Sequence, residues 1–255
     1  MRTAPSVATQ AVGEDRHGMK AELEIRLHAS AGGRVDASGR LAAAPLWCRW
    51  DGDTLWIVGS AASPVGQDDV RIRFEVGAGV HARVRTVAAM VLYAARGDGS
   101  SLHTEIHVGP DASLHWAPEP VIITGRADHR STTLVEVAAG SRVTVDELVV
   151  DGRNDDDRGG RLVSELGLSL DGLTSLRSSF DTATPGWNGP GGTDGARCLG
   201  TRLAVGHPVE VAPTVAVSSA CAGLLRPERG GLLAVAVADD PGSARSEIER
   251  LLPMR

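Results

Sequence analysis

Apolar and polar residues alternate along most of this chain. In Leu23-Glu24-Ile25-Arg26-Leu27 the three apolar side chains share one parity. The device repeats with Ile72, Phe74 and Val76, and again with Leu102, Thr104, Ile106 and Val108. A period of two places every second side chain on one face of a strand, so these stretches predict strands with a single buried face. Helical spacing is hard to find before the C-terminus. There Asp240 reads as an N-cap, Pro241 as a first helical residue, and Ile248, Leu251 and Leu252 as the apolar face of one short helix.

The alternating runs recur as a unit. Phe74 to Val84, Ile106 to Trp116 and Val135 to Val145 each contain a strand ending in valine, a short turn with glycine, and a second alternating strand. Val76, Val108 and Val137 are 32 and 29 residues apart (108 − 76 and 137 − 108). A period near 30 predicts stacked β-layers, each burying its face against the next, in preference to a β-sandwich whose hairpins happen to be evenly spaced. A fourth, looser copy spans Leu166 to Phe180, with Asp171-Gly172 as a hairpin turn signal. Pro118 and Pro120 interrupt one run between Trp116 and the apolar Val121-Ile122-Ile123. Neither proline has an N–H to give a neighbouring strand, so both are expected at a layer's edge or corner, holding Glu119 between two rigid φ angles. The predicted fold class is therefore all-β, layered and β-helix-like, with a short C-terminal helix. Residues 1–18 read as a disordered leader and residues 19–255 as a single β domain.

Composition narrows the function classes. The 255 residues carry 32 acidic and 26 basic side chains, a net charge of −6. A surface that reads phosphates is strongly basic, so nucleic acid is not an expected partner. Cys48, Cys198 and Cys221 are odd in number, widely spaced and without a C-x-x-C, which argues against a disulfide framework and for a reducing cytoplasm. No apolar run approaches the ~20 residues of a membrane span. The leader has no apolar core of a signal peptide, and Met1 and Met19 are alternative starts.

No nucleophile elbow, H-E-x-x-H or Rossmann fingerprint is present, and Gly189-Pro190-Gly191-Gly192 lacks the Lys-Ser/Thr of a P-loop. No catalytic constellation is expected. His103, Glu105 and His107 fall on one face of a strand, a donor set that would suit nickel or zinc. The same alternation equally describes a solvated outer face. Asn154 to Gly160 is acidic enough to attract hard cations but lacks the later glutamate of an EF-hand, so it reads as a solvated turn. Glu147 shares the parity of Val143, Val145 and Val149. In an unbroken register its carboxylate points inward, which is costly unless it is paired or hydrated. A one-residue bulge would turn it to solvent instead.

Several of these segments, in order, resemble one family. They are Val65-Gly66-Gln67-Asp68, the run from Val70 to Tyr93, Trp116-x-Pro118-Glu119-Pro120 followed by an apolar run and Gly125, Glu147 followed by Gly152-Arg153, and Gly189 to Thr201. Over roughly residues 45–255 the chain resembles the urease accessory protein UreD (UreH), most of all its actinobacterial versions. Two motifs depart: Gly66-Gln67-Asp68 stands for the family's Gly-Gly-Asp, and the threonine-rich segment ends at Tyr93 without Arg-Ser. The resemblance implies a β-helix-like fold and a non-enzymatic scaffold in the cytoplasm. Such a scaffold joins UreF and UreG to apo-urease for nickel insertion, with no tightly bound cofactor and nickel only in transit. Homodimerisation within that complex stays open. Asp68, Glu119 and Glu147 are the carboxylates on its motifs and the candidate conduit groups. Two other classes compete: a β-helical carbohydrate-active enzyme pairing Asp68 with Glu147 as acid and base, and a β-rich binding module.

Overall fold

The computed structural model describes residues 18–30, 34–59, 63–94, 97–153, 158–207 and 220–253. The leader up to residue 17 and the acidic turn at 154–157 lie outside the described residues.

The alternating stretches form strands throughout. The chain begins with β1 (Lys20–Ala29), β2 (Val35–Arg40), β3 (Ala42–Ala43), β4 (Leu46–Asp51) and β5 (Thr54–Gly59). Two similar windings follow: β6 (Asp69–Val76), β7 (His81–Thr86) and β8 (Met90–Leu92), then β9 (Ser100–Val108), β10 (Ser113–Trp116) and β11 (Val121–Ile123). A third consists of β12 (Asp128–Val137) and β13 (Arg142–Asp151). The chain closes with β14 (Arg161–Leu170), β15 (Leu173–Asp181), β16 (Cys198–Val205), β17 (Ala220–Leu225), β18 (Leu232–Ala238) and α1 (Pro241–Leu251).

Two sheets face each other. The first has seven strands in the order β15-β14-β12-β9-β6-β1-β2. The second has eleven, running β17-β18-β16-β13-β10-β7-β5-β4-β3, with β8 and β11 alongside. Strands one winding apart are parallel: β6, β9, β12 and β14 in the first sheet, β7, β10 and β13 in the second. Val76, Val108 and Val137 sit opposite one another in this stack, and Leu170 continues the row. The period near 30 is thus the length of one winding, and a sandwich of hairpins is replaced by stacked layers.

The fourth copy only half follows the pattern. β14 joins the parallel stack, but Asp171 (φ 48°) and Gly172 (φ 78°) turn the chain sharply, and β15 returns antiparallel. Two consecutive left-handed residues are what a tight two-residue hairpin requires. In the second sheet the next place after β13 goes to β16, also antiparallel. The parallel stack therefore closes on antiparallel strands at this end, as it does on β2 at the other.

The prolines lie at a corner. Ala117 N–H donates to the Val84 carbonyl at 2.9 Å, Glu119 N–H to Thr86 Oγ1 at 2.8 Å, and Met90 N–H to the Pro120 carbonyl at 2.9 Å. The donors needed between β10 and β11 come from residues 117 and 119, so prolines at 118 and 120 leave no bond unmade.

The inner faces of both sheets share one core. Leu23, Ile25, Phe74, Ile106 and Val135 meet Leu55, Val84, Trp116, Val145 and Leu203. Phe74 and Trp116 touch edge to face with centroids 5.5 Å apart. Outside the second sheet lies α1, capped by the Asp240 carboxylate, which accepts from Ser243 N–H at 3.0 Å. The helix buries Ala244, Ile248 and Leu251. Gly200 admits it: a Cβ there would stand 2.5 Å from the end of the Ile248 side chain.

Candidate functional site: an interior cavity with a buried carboxyl

A cavity of about 340 Å3 lies between the sheets. Its walls are largely apolar, with Ile72, Leu102, Trp116, Val149 and Leu162 among them, and Val87, 59% exposed, stands at its rim after β7. Into it project hydroxyls from inward positions of successive windings: Thr104 on β9, Ser131 and Thr133 on β12, Ser164 on β14. The register aligns Thr104 with Thr133 and Ser131 with Ser164. These hydroxyls were not singled out in the sequence, where Thr104 merely held an apolar parity. The legible signal was a hydroxyl residue on the inward parity of three consecutive layers.

Glu147 and Glu119 are the carboxylates that line this cavity. β13 pairs with β16 without a register shift, so the alternation carries Glu147 to the inner face beside Val145 and Val149. Its Oε1 accepts a hydrogen bond from Thr133 Oγ1 at 2.8 Å, across the gap between the sheets. Burial pushes its carboxyl above the usual range, and the Thr133 hydrogen bond offsets that only in part. Among the described residues no arginine or lysine forms an ion pair with it. Arg153 instead lies over the Tyr93 ring, 5.5 Å from its centroid, and Tyr93 is itself a wall of the cavity.

Asp68 sits elsewhere. It is 5% exposed, and its carboxylate accepts from Met19 N–H at 2.9 Å, Ser63 Oγ at 2.8 Å and Val65 N–H at 3.0 Å. Those bonds tie the start of β1 to the turn before β6. The cavity walls do not include Asp68, so an acid–base pair of Asp68 with Glu147 is not assembled around it. The remaining motif residues shape corners. Pro118 borders the cavity beside Trp116, and Pro120 closes the β8–β11 pairing. Gly152 (φ 82°) donates to the Ile123 carbonyl at 2.8 Å and accepts from Arg197 at 3.1 Å. Gly125 lies in the turn after β11, before Arg126 (φ 65°).

His103, Glu105 and His107 occupy the outer face of the first sheet, the solvated arrangement that alternation also described. His103 bonds Glu105 at 3.0 Å, Glu105 accepts from Arg73 at 3.2 Å, and His107 contacts Glu136 at 3.1 Å. The first of these contacts runs along β9 and the other two cross to neighbouring strands, and among the described residues no three His, Cys, Asp or Glu side chains converge to hold a metal ion. Among the same residues no helix is long and apolar enough to cross a membrane.

Known proteins of similar sequence share one description. A urease accessory protein UreD of Parafrankia sp. (strain EAN1pec) is 29% identical, over 97% of this chain and 92% of its own length. One from Frankia alni is 32% identical over 86% of this chain and 78% of its own. UreD 1 of Saccharopolyspora erythraea is 33% identical over 77% and 76%. The sequence profile of the UreD urease accessory proteins matches residues 19–254, from the residue before β1 to beyond α1. With that match over most of its length and these relatives, this chain belongs to the UreD urease accessory protein family.

Proposed function

We propose that this chain acts without catalysis of its own, as the cytoplasmic scaffold that joins UreF and UreG to apo-urease, and that nickel passes through its interior toward the urease active site. Family membership supports the role in urease maturation. The observation that carries the conduit is Glu147, a carboxyl set inside a β-layered core, on the wall of a cavity, with a hydroxyl as its hydrogen-bond partner. A bare divalent cation cannot cross an apolar core, since desolvation costs far more than packing returns. A carboxylate among hydroxyls replaces part of the ion's water shell. Burial raises the Glu147 carboxyl above its usual range, whereas a cation beside it would favour the ionised form. Glu119, also on the cavity wall, is the second conduit carboxylate.

Glu147→Ala is expected to lower the nickel content of urease matured in its presence, while the variant still folds and still co-purifies with UreF and apo-urease. Nickel per urease active site, measured beside a pull-down of the same variant, decides the matter. Full nickel loading would remove Glu147 from the path. Loss of the pull-down would mark it as structural.

A further inference from the structure

The two sheets treat their outward arginines differently. On the parallel strands of the first sheet every arginine has a carboxylate: Arg26 pairs with Glu75, Arg71 with Asp69, Arg73 with Glu105, Arg130 with Glu165 and Arg161 with Asp181. On the outer face of the second sheet Arg49 of β4, Arg85 of β7 and Arg142 of β13 have no such partner among the described residues. Arg83 has only Asp53, at 3.9 Å. Asp146, the carboxylate of β13 on that face, is already held by Arg202 and His115.

Two of these arginines flank a tryptophan. β4 is antiparallel to β5 and β5 parallel to β7, with Arg49 opposite Trp56 and Trp56 opposite Arg85. Leu55 and Ile57 are buried on the inner face, so Trp56 and the arginines on either side of it project outward. Trp47, 41% exposed, shares that face two residues before Arg49. Its opposite residue, Val58, belongs to the cavity wall, and the exposed rim residue Val87 lies two residues past Arg85. The patch is thus continuous with the rim of the cavity. Helix α1 covers the other half of the outer face, packing on β13, β16, β17 and β18.

Tryptophan and arginine are the residues on which binding energy concentrates at protein interfaces. An exposed guanidinium gains little from a carboxylate in water, but in a desolvated contact the pairing is bidentate and strong. Here the chain supplies the guanidinium groups and withholds the acids. We propose that this face is a docking surface for a protein partner whose own surface there is acidic. Its carboxylates meet Arg49 and Arg85, and its apolar groups cover Trp47 and Trp56. This rests on the scaffold reading above and gives that role a place, beside the cavity rim, where a docked partner adjoins the path of the ion. A second copy of this chain fits less well, because the carboxylates of its other sheet are already paired with their own arginines.

The test titrates purified UreF and apo-urease, as separate probes, against the full chain. Arg49→Glu/Arg85→Glu is expected to weaken binding of at least one of them about 10- to 100-fold and to flatten its dependence on salt. Trp47→Ala should weaken the same partner and leave the salt dependence as it was. Arg73→Glu/Arg130→Glu, an equal change of charge on the other sheet, should bind like the parent chain. If Arg49→Glu/Arg85→Glu binds both probes as tightly as the parent, or the control weakens binding equally, the assignment falls and the scaffold reading stands. A parent chain that binds neither probe would end the scaffold reading itself. Since neither Arg49 nor Arg85 holds an ion pair, the thermal midpoint should not move. Were it to fall, Arg49→Gln/Arg85→Gln takes the place of the reversal, and normal binding by that variant overturns the assignment. Capture of a labelled single-stranded RNA through these arginines, with both proteins still bound normally by the variant, would give the face to nucleic acid instead.

Discussion

His129 is 1% exposed on the inner face of β12, with Nδ1 hydrogen-bonded to Ser100 Oγ at 2.8 Å and Nε2 without a partner. Burial lowers its pKa from 6.5 to about 4. An imidazole depressed in the folded state leaves the unfolded chain binding more protons between those values, so stability rises with pH across the window and falls as pH drops from about 6.5 toward 4. At 1.36 kcal/mol per pH unit the loss amounts to roughly 3 kcal/mol. Chemical denaturation from pH 4.5 to 7 should show that slope. The Ser100→Ala/His129→Leu variant, which removes both partners together, should flatten it; an unchanged slope would assign the effect to other groups. Asp128-His129-Arg130 reads as a polar run, and only the alignment of β12 with β9 reveals that His129 is inside. Glu147 was legible because the residues flanking it on its parity are valines. Asp68 was legible as a family motif residue, but not as a group whose carboxylate is taken up by main-chain N–H donors, since one of those donors is Met19, 49 positions away.

At the scale of elements, the C-terminal helix is the most completely anticipated feature, because caps and apolar spacing are local. Its attachment is not local. Arg202, 3% exposed on β16, grips Asp146 of β13 through two bonds of 2.6 and 2.8 Å and donates to the Leu252 carbonyl at 3.0 Å. His115 adds a bond to Asp146 at 3.2 Å. Burial alone would raise the Asp146 carboxyl, but the hydrogen bonds from Arg202 and His115 outweigh it and hold the group below the usual range. One arginine thus joins two strands and the end of α1. Removing one member of a buried pair strands the other charge. Arg202→Met is therefore expected to destabilise the protein by about 3–5 kcal/mol in urea unfolding, and Asp146→Leu/Arg202→Met by less than Arg202→Met alone. Equal losses in the single and double variants would mean that the interaction with Leu252, not the ion pair, holds the helix down.

Across the whole molecule, parallel strands from successive windings contribute to a single apolar cluster between the two sheets. Phe74 lies at the centre of that arrangement, fully buried, with β1 on one side and β9 on the other. Phe74→Ala removes its volume and its edge-to-face contact with Trp116, and should cost about 3–5 kcal/mol. Because the cluster is shared, tryptophan fluorescence and far-UV circular dichroism should lose their native signals at the same urea concentration, in both the parent and the variant. Separated transitions would show that the windings unfold as independent layers.

Alternation is a property of adjacent residues, and the near-30 period is a comparison of the chain with itself. Strands, their buried faces, the stacked layers and the capped helix were therefore all determined by the sequence read alone. Which hydroxyls gather around Glu147, why the fourth copy turns back, and where His103, Glu105 and His107 find their partners depend on residues brought together by winding. Parity sets Glu147 on the valine side of its strand and Glu105 on the side away from Ile106 and Val108, but it does not say which groups either carboxylate meets. Closing the two sheets on each other decided that. It left Glu105 among exposed arginine and histidine partners, and Glu147 in a cavity with one threonine bonded to it and another, Thr201, opposite it on the next strand.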